Sequence, residues 1–303
     1  MGSTLALVTG ASTLGCRSTA PEAPQRLKLA TGPPGAVYRV VGATLAEALD
    51  TQLPRSNVTT VASRASTDNL DMLRAGEVDL GLCSLDAVVT AEGDVPSGIT
   101  ALGRIYDSHL HLYVLDDSPV QDLADLSGRR VSVGAQDSGT AFTGHRLIDQ
   151  TELDLDVLQL DQADSAQALQ NGEIDAAFSL TGIPTPAIRD LASQQQLRMV
   201  PLTQATERLS QAYPGPYAPA TIPATAYPDV ASAATVAVPN VLLTGPDLGA
   251  ELARLVTDTV FGQAQAIGAD RPEASQINVR TGIATEPVPL HPGAVQWFRD
   301  QKR

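Results

Sequence analysis

One pattern of the chain is written twice. Leu73-Arg74-Ala75-Gly76-Glu77-Val78-Asp79-Leu80 recurs 96 positions later as Leu169-Gln170-Asn171-Gly172-Glu173-Ile174-Asp175-Ala176. Each copy reads as a helix end, a glycine that permits a tight exit, and a short apolar strand. A second matched pair lies upstream. Leu27-Lys28-Leu29-Ala30-Thr31-Gly32 leads into a Gly/Pro turn and a helix, and Arg130-Val131-Ser132-Val133-Gly134 leads through Gln136–Thr140 into another. A chain that repeats this unit is expected to fold as two similar α/β halves. A cleft between such halves is where a small ligand binds.

The 303 residues leave room for two domains of ordinary size. Apolar residues make up 43% and aromatic residues 4%, which points to a core of Val, Leu, Ile and Ala on parallel sheet. The net charge of −14 argues against nucleic acid, which selects a basic footprint, and against an anionic membrane surface. The two cysteines, Cys16 and Cys83, permit one disulfide without implying it. Cys83 ends the apolar run Leu80-Gly81-Leu82-Cys83 and reads as a buried structural thiol. No apolar run reaches the length of about 18 residues that a membrane-spanning helix needs.

Two readings compete at the N-terminus. Leu5–Ser12 has the look of a dinucleotide-binding turn, but Pro21 and Pro24 follow where a crossover helix should continue. The catalytic Tyr-x-x-x-Lys pair of short-chain dehydrogenases is also absent. The favoured reading is a signal-like segment and tether over 1–26: a short apolar stretch, then Leu14-Gly15-Cys16, then a polar Pro-containing linker. Cys16 is then the expected lipidation site and the chain is expected outside the cytoplasm.

From Leu27 onward, strand and helix patterns alternate. Apolar spacing predicts helices over Val40–Leu53, Asp68–Ala75, Ala141–Gln150, Ser165–Asn171 and Gly249–Ala266. Short apolar runs predict strands at Leu27–Ala30, Val58–Ala62, Val78–Cys83, Leu110–Leu115, Val131–Val133, Ala176–Leu180 and Val236–Leu243. Tyr213–Pro228, rich in Pro, Tyr and Ala, reads as an extended crossing segment. This order implies parallel sheets with right-handed crossovers. The expected domains are a first lobe from 27–112 and 218–303, with a second lobe, 113–217, inserted in it.

Several stretches together carry a resemblance. They are Thr31-Gly32-x-x-Gly35-x-x-Tyr38, Asn69-Leu70 with Gly76-Glu77-Val78-Asp79-Leu80, and Gly134-Ala135-x-x-Ser138-Gly139-Thr140. Further on come Asp175–Phe178 with Gly182-Ile183-Pro184, Ala220–Pro223 with Tyr227, and Pro289–Ala294. In this order and spacing the chain resembles the TAXI family of solute-binding receptors that serve TRAP transporters. The resemblance covers nearly everything from residue 27 onward. It implies an α/β, two-lobed, periplasmic-binding-protein-like (type II) fold, each lobe a mainly parallel sheet flanked by helices, with a hinge between the lobes. It implies a monomeric, non-catalytic receptor without cofactor that captures an organic anion, such as glutamate, a related amino acid or a dicarboxylate, and passes it to TRAP membrane subunits. A membrane histidine kinase that senses ligand through the same lobes is the alternative partner.

Candidate contacts sit between strand ends and helix starts, where unpaired N–H groups and a partial positive charge favour a carboxylate. In the second lobe these are Ser138, Gly139 and Thr140; in the first they are Thr31, Gly35, Tyr38, Ser66 and Ser84, while Tyr106 matches a tyrosine of the TAXI family and the resemblance implies that it stacks on or hydrogen-bonds the ligand. Arg39 offers a bidentate contact to a carboxylate, or is a solvated residue of a first helical turn. Asp86 meets a ligand ammonium group or caps the next helix, and Gly182 lies at a strand end. Each Ser or Thr also fits a plain helix cap. His109 and His111 share a face if they lie on a strand, but no third ligand is evident and no metal is expected. Glu77, Asp79, Glu173 and Asp175 read as scaffold. No nucleophile elbow, zinc-binding His-Glu-x-x-His, P-loop or Cys-x-x-Cys is present.

Overall fold

The computed structural model describes residues 26–33, 36–53, 57–90, 93–269 and 274–302. The first lobe opens with β1 (Arg26–Ala30), α1 (Val37–Gln52), β2 (Asn57–Val61), α2 (Ser66–Arg74), β3 (Leu80–Ser84) and α3 (Leu85–Val88). A 16-residue strand, β4 (Thr100–Leu115), leads out of it. The second lobe holds β5 (Arg130–Ser132), α4 (Gly139–Thr151), β6 (Asp156–Leu158), α5 (Gln162–Gln170), β7 (Ala176–Thr181), α6 (Pro186–Ala192), β8 (Leu197–Met199), α7 (Thr203–Ala212) and β9 (Ala218–Ile222). The 12-residue β10 (Ala233–Thr244) returns to the first lobe. There α8 (Ala250–Gly262), α9 (Ala264–Gly268), α10 (Val279–Gly282) and α11 (Pro292–Asp300) close the chain.

The strands join in the order β2-β1-β3-β10-β4-β7-β5-β6, with β8 on β4 and β9 on β10. β1 pairs in parallel with β2 and β3, and β5 in parallel with β6 and β7. β4 and β10 run antiparallel to each other through the middle. The apolar cores divide along these two strands. Leu102, Ile105 and Tyr106 of β4 belong to the first lobe's core, and Leu110, Leu112 and Val114 to the second. On β10, Val236 and Val238 belong to the second and Val241, Leu242 and Leu243 to the first. Both crossings are therefore made by long strands.

The repeated pattern proves to be a strand fastener. In the first copy the Asp79 carboxylate accepts the Lys28 backbone N–H at 2.8 Å, and the Asp79 N–H donates to Lys28 O. In the second, Asp175 accepts the Arg130 N–H at 2.9 Å and donates its own N–H to Arg130 O. The Lys28 Nζ reaches Glu77 O, and the Arg130 guanidinium reaches Gly172 O, each at 3.0 Å. The Arg130 side chain also holds the Asp175 carboxyl below the usual carboxylate range. Gly76 and Gly172 turn the corner at φ +68° and +70°, with nothing near the place a Cβ would occupy. Each substitution Gly76→Ala and Gly172→Ala is thus expected to lower unfolding free energy in urea by about 1–2 kcal/mol, the cost of left-handed backbone alone.

Several stretches differ from the sequence expectation. β4 begins ten residues before Leu110, because Gly103, Arg104, Asp107 and Ser108 hide its alternation. Arg104 and Asp107 pair with each other on it, and Gly103 makes room for Phe261, whose ring a Cβ would strike at 2.4 Å. Tyr213–Pro228 is not a crossing segment. It holds β9, which pairs with the second-lobe half of β10, while Ile222 and Tyr227 pack in the core of Tyr113 and Ala177. The predicted helix Gly249–Ala266 breaks at Gln263 into α8 and α9.

Candidate functional site

Where the two cores part, a cleft of about 350 Å³ opens between them. Tyr38, Ser66, Ser84 and Tyr106 line it from the first lobe, and Ser138, Gly139 and Thr140 from the second. These seven of the predicted site residues come from elements far apart in sequence. Five helices begin at the same space: Val37 of α1, Ser66 of α2, Gly139 of α4, Gln162 of α5 and Pro186 of α6 all lie on the cleft wall. Their N-terminal ends concentrate unpaired N–H groups and partial positive charge there.

The floor is a network of neutral polar groups. Ser66 Oγ accepts from the Ser84 N–H at 2.9 Å and lies 3.1 Å from both Ser84 Oγ and Tyr38 OH. The Tyr38 hydroxyl donates to Asn240 Oδ1, and Asn240 Nδ2 donates to Ser108 Oγ at 2.9 Å. Burial first, and the neighbouring Tyr106 second, raise the Tyr38 pKa well above its usual value, so it remains a donor. The rings of Tyr38 and Tyr106 meet edge to face with centroids 6.2 Å apart. Cys83 lies behind this floor as a buried free thiol 3.4 Å from Ser66 O, its pKa pushed up by burial.

The opposite wall is the loop between β5 and α4. Gly134, at φ +91°, turns it so tightly that a Cβ would stand 2.5 Å from Thr140 Cβ. Ser138 caps α4 by accepting the Ala141 N–H at 3.1 Å, and Thr140 Oγ1 accepts the Leu180 N–H at 2.9 Å. Both hydroxyl oxygens therefore accept from the backbone, which orients them and leaves each O–H proton to donate. Capping and ligand contact are compatible at these two residues. The lobes meet closely here: a Cβ on Gly139 would lie 4.0 Å from Ser84 Oγ.

Four predicted residues lie elsewhere. Thr31 is fully buried and donates to Val61 O at 3.1 Å, tying β1 to β2. Arg39 is half-buried and does not line the cleft, and its Nη1 is buried without a hydrogen-bond partner. Gly182 lies just behind the wall, where a Cβ would meet Val37 at 3.2 Å and Tyr106 at 3.4 Å. Asp86 is fully buried and neither faces the cleft nor caps α3. Its carboxylate accepts from Thr143 Oγ1 at 2.6 Å and from Tyr217 OH at 3.1 Å, across to the second lobe. Gly35 and Cys16 lie outside the described residues.

The profile of the NMT1-like family matches residues 29–301. The chain belongs to the NMT1-like family. Solved structures share the fold of this NMT1-like chain at low identity. The periplasmic aliphatic sulphonate binding protein SsuA from Escherichia coli is 18% identical with a TM-score of 0.53, over 91% of this chain and 79% of that one. A putative L-cystine ABC transporter protein from Listeria monocytogenes is 15% identical at 0.51, over 84% and 97%. The GluR0 ligand-binding core in complex with L-glutamate is 14% identical at 0.50, over 82% and 96%. The α/β, two-lobed, periplasmic-binding-protein-like architecture read from the sequence is thus the fold of this NMT1-like protein.

Some residues of the site had little signal in the sequence. Asn240 follows Pro239 inside an apolar strand, and an amide there must find partners in the protein. Arg64 lines the mouth, ion-paired with Asp68 at 3.4 Å and with Asp137 of the other lobe at 2.6 Å. Arg146 of α4 fastens the lobes beside Asp86. Its guanidinium lies 4.4 Å from the Phe142 ring and 4.1 Å from the Tyr213 ring, and donates to the first-lobe carbonyls of Asp86 and Val89. Arg146→Met keeps an apolar stem and removes these contacts. An unfolding free energy lower by about 2–3 kcal/mol is expected in urea titration of this NMT1-like variant.

Proposed function

We propose that this protein is an extracytoplasmic solute-binding receptor that takes a small organic anion into the cleft and encloses it by lobe closure. The observation that carries the reading is the convergence of five helix N-termini and of Ser and Thr hydroxyls from both lobes on one cleft between two separate cores. Backbone N–H groups and hydroxyls at helix starts bind anions without a basic side chain. Proteins of the same fold that are named for an aliphatic sulphonate or bound to L-glutamate support the choice of an anion. Among the described residues no helix is long and apolar enough to cross a membrane. Delivery to TRAP-type membrane subunits, as the TAXI resemblance implies, and anchoring through Cys16 belong to the same proposal.

A thermal-shift screen tests it. A ligand that binds only the folded chain, present at 100 times its Kd, adds about 2.7 kcal/mol, or roughly 5 °C in Tm for a protein of this size. Organic carboxylates and sulfonates are expected to produce such shifts while their neutral amides do not. Shifts from neutral or cationic solutes and none from anions would overturn the proposal.

A further inference from the structure

We infer that the anion is a monoanion with an apolar body, not a dicarboxylate; this rests on the anion reading above and narrows it. The charge balance of the cleft points this way. Arg64 is the single cation among the described lining residues, and it is held by Asp68 and Asp137. Two carboxylates, Asp161 and Asp190, line the same cleft. Asp161 caps α5 by accepting the Asp164 N–H at 2.8 Å, which uses one oxygen and leaves the charge in place. One anionic group is served by the helix starts and hydroxyls around Ser66, Ser84 and Thr140. A second has no free cation to meet and two carboxylates to repel it.

The remaining wall is apolar. Phe178 and Leu180 of β7, Leu160, Pro186 and Ala187 face the cleft. Burying a second anionic group among them is unfavourable, whereas a methylene chain gains there. The modest volume, about 350 Å³, sets a small ligand.

Isothermal titration with matched six-carbon acids tests the inference. Hexanoate is expected to bind at least about tenfold more tightly than adipate. Affinity is also expected to rise about fourfold per methylene from acetate through butanoate to hexanoate. Adipate or glutamate binding as tightly as hexanoate, or tighter, would overturn the inference and leave the anion reading standing. Hexanamide binding as tightly as hexanoate, or no acid of the series binding at all, would overturn the anion reading and the inference with it.

Discussion

The double variant Ser138→Ala/Thr140→Ala is expected to bind its anion at least about 100-fold more weakly than the parent protein. Each hydroxyl is oriented by a backbone N–H that it accepts, from Ala141 and from Leu180, so that its proton is free for a ligand oxygen. A hydrogen bond to a charged group contributes about 1.5–3 kcal/mol, and the loss of two gives two or more orders of magnitude in Kd. The same change also removes the α4 cap and leaves the Leu180 N–H without its acceptor, which lowers stability by about 2–3 kcal/mol. Titration calorimetry at a temperature where both proteins remain folded separates the two effects. Thr140→Ser, which keeps the hydroxyl, should recover most of the affinity lost at that position. Affinity retained within about threefold in the double variant would remove this loop from the site.

The second large effect is on stability in acid. His111 is fully buried, with Nδ1 2.9 Å from His109 O and 3.1 Å from Ser179 O, so Nδ1 carries the proton. Its Nε2 lies 2.8 Å from the hydroxyl of Tyr227 and accepts from it. The ring is held neutral: burial brings its pKa down from the usual 6.5 to about 4. Between these two values the unfolded chain takes up a proton that the folded chain refuses. The stabilisation is therefore complete above pH 6.5 and is lost as pH falls from 6.5 toward 4, by roughly 3 kcal/mol across the window. His109 and His291 are also held below their usual values by burial and add to the slope. Urea titrations at several pH values, with the parent compared against His111→Gln, isolate the contribution of His111. The difference between the two proteins should change across pH 6.5 to 4 and be flat above it; a difference independent of pH contradicts the assignment.

These two sites show what a single sequence makes legible and what it hides. The glycine turn of the repeated Gly-Glu-x-Asp pattern was legible because it is local, whereas the strands that Asp79 and Asp175 fasten, through Lys28 and Arg130, lie 51 and 45 positions earlier and were not. The Ser138-Gly139-Thr140 loop was legible for the same reason, since a helix cap is read within four residues. Asp86 was not. A carboxylate at a helix start suggests a cap, and only the fold brings it to Thr143 and Tyr217, 57 and 131 positions away. Arg39 does not line the cleft, since an arginine in the first turn of α1 says nothing about which way that turn faces. The helix α7 gave almost no signal, since Thr203–Ala212 buries only Ala205, Thr206 and Leu209 in a polar run. The N-terminal half of β4 was hidden by glycine and by charges that pair with each other.

The histidine pair illustrates the same limit. Two histidines two apart on a strand share a face, yet in β4 His111 is fully buried against Tyr227 while His109 is half-buried. The partner of His111 comes from a turn 116 positions later, which no local pattern announces.

The proposed anion sits between the two lobes at the starts of α2 and α4. A crystal structure of the protein grown with an acid selected by the thermal-shift screen tests this most directly. The acid group is expected in the cleft, its oxygens within hydrogen-bond distance of Ser66 or Ser84 on one side and of the Ser138–Thr140 loop on the other. An acid bound away from the cleft, or in it with its charged group turned away from both helix starts, would contradict it.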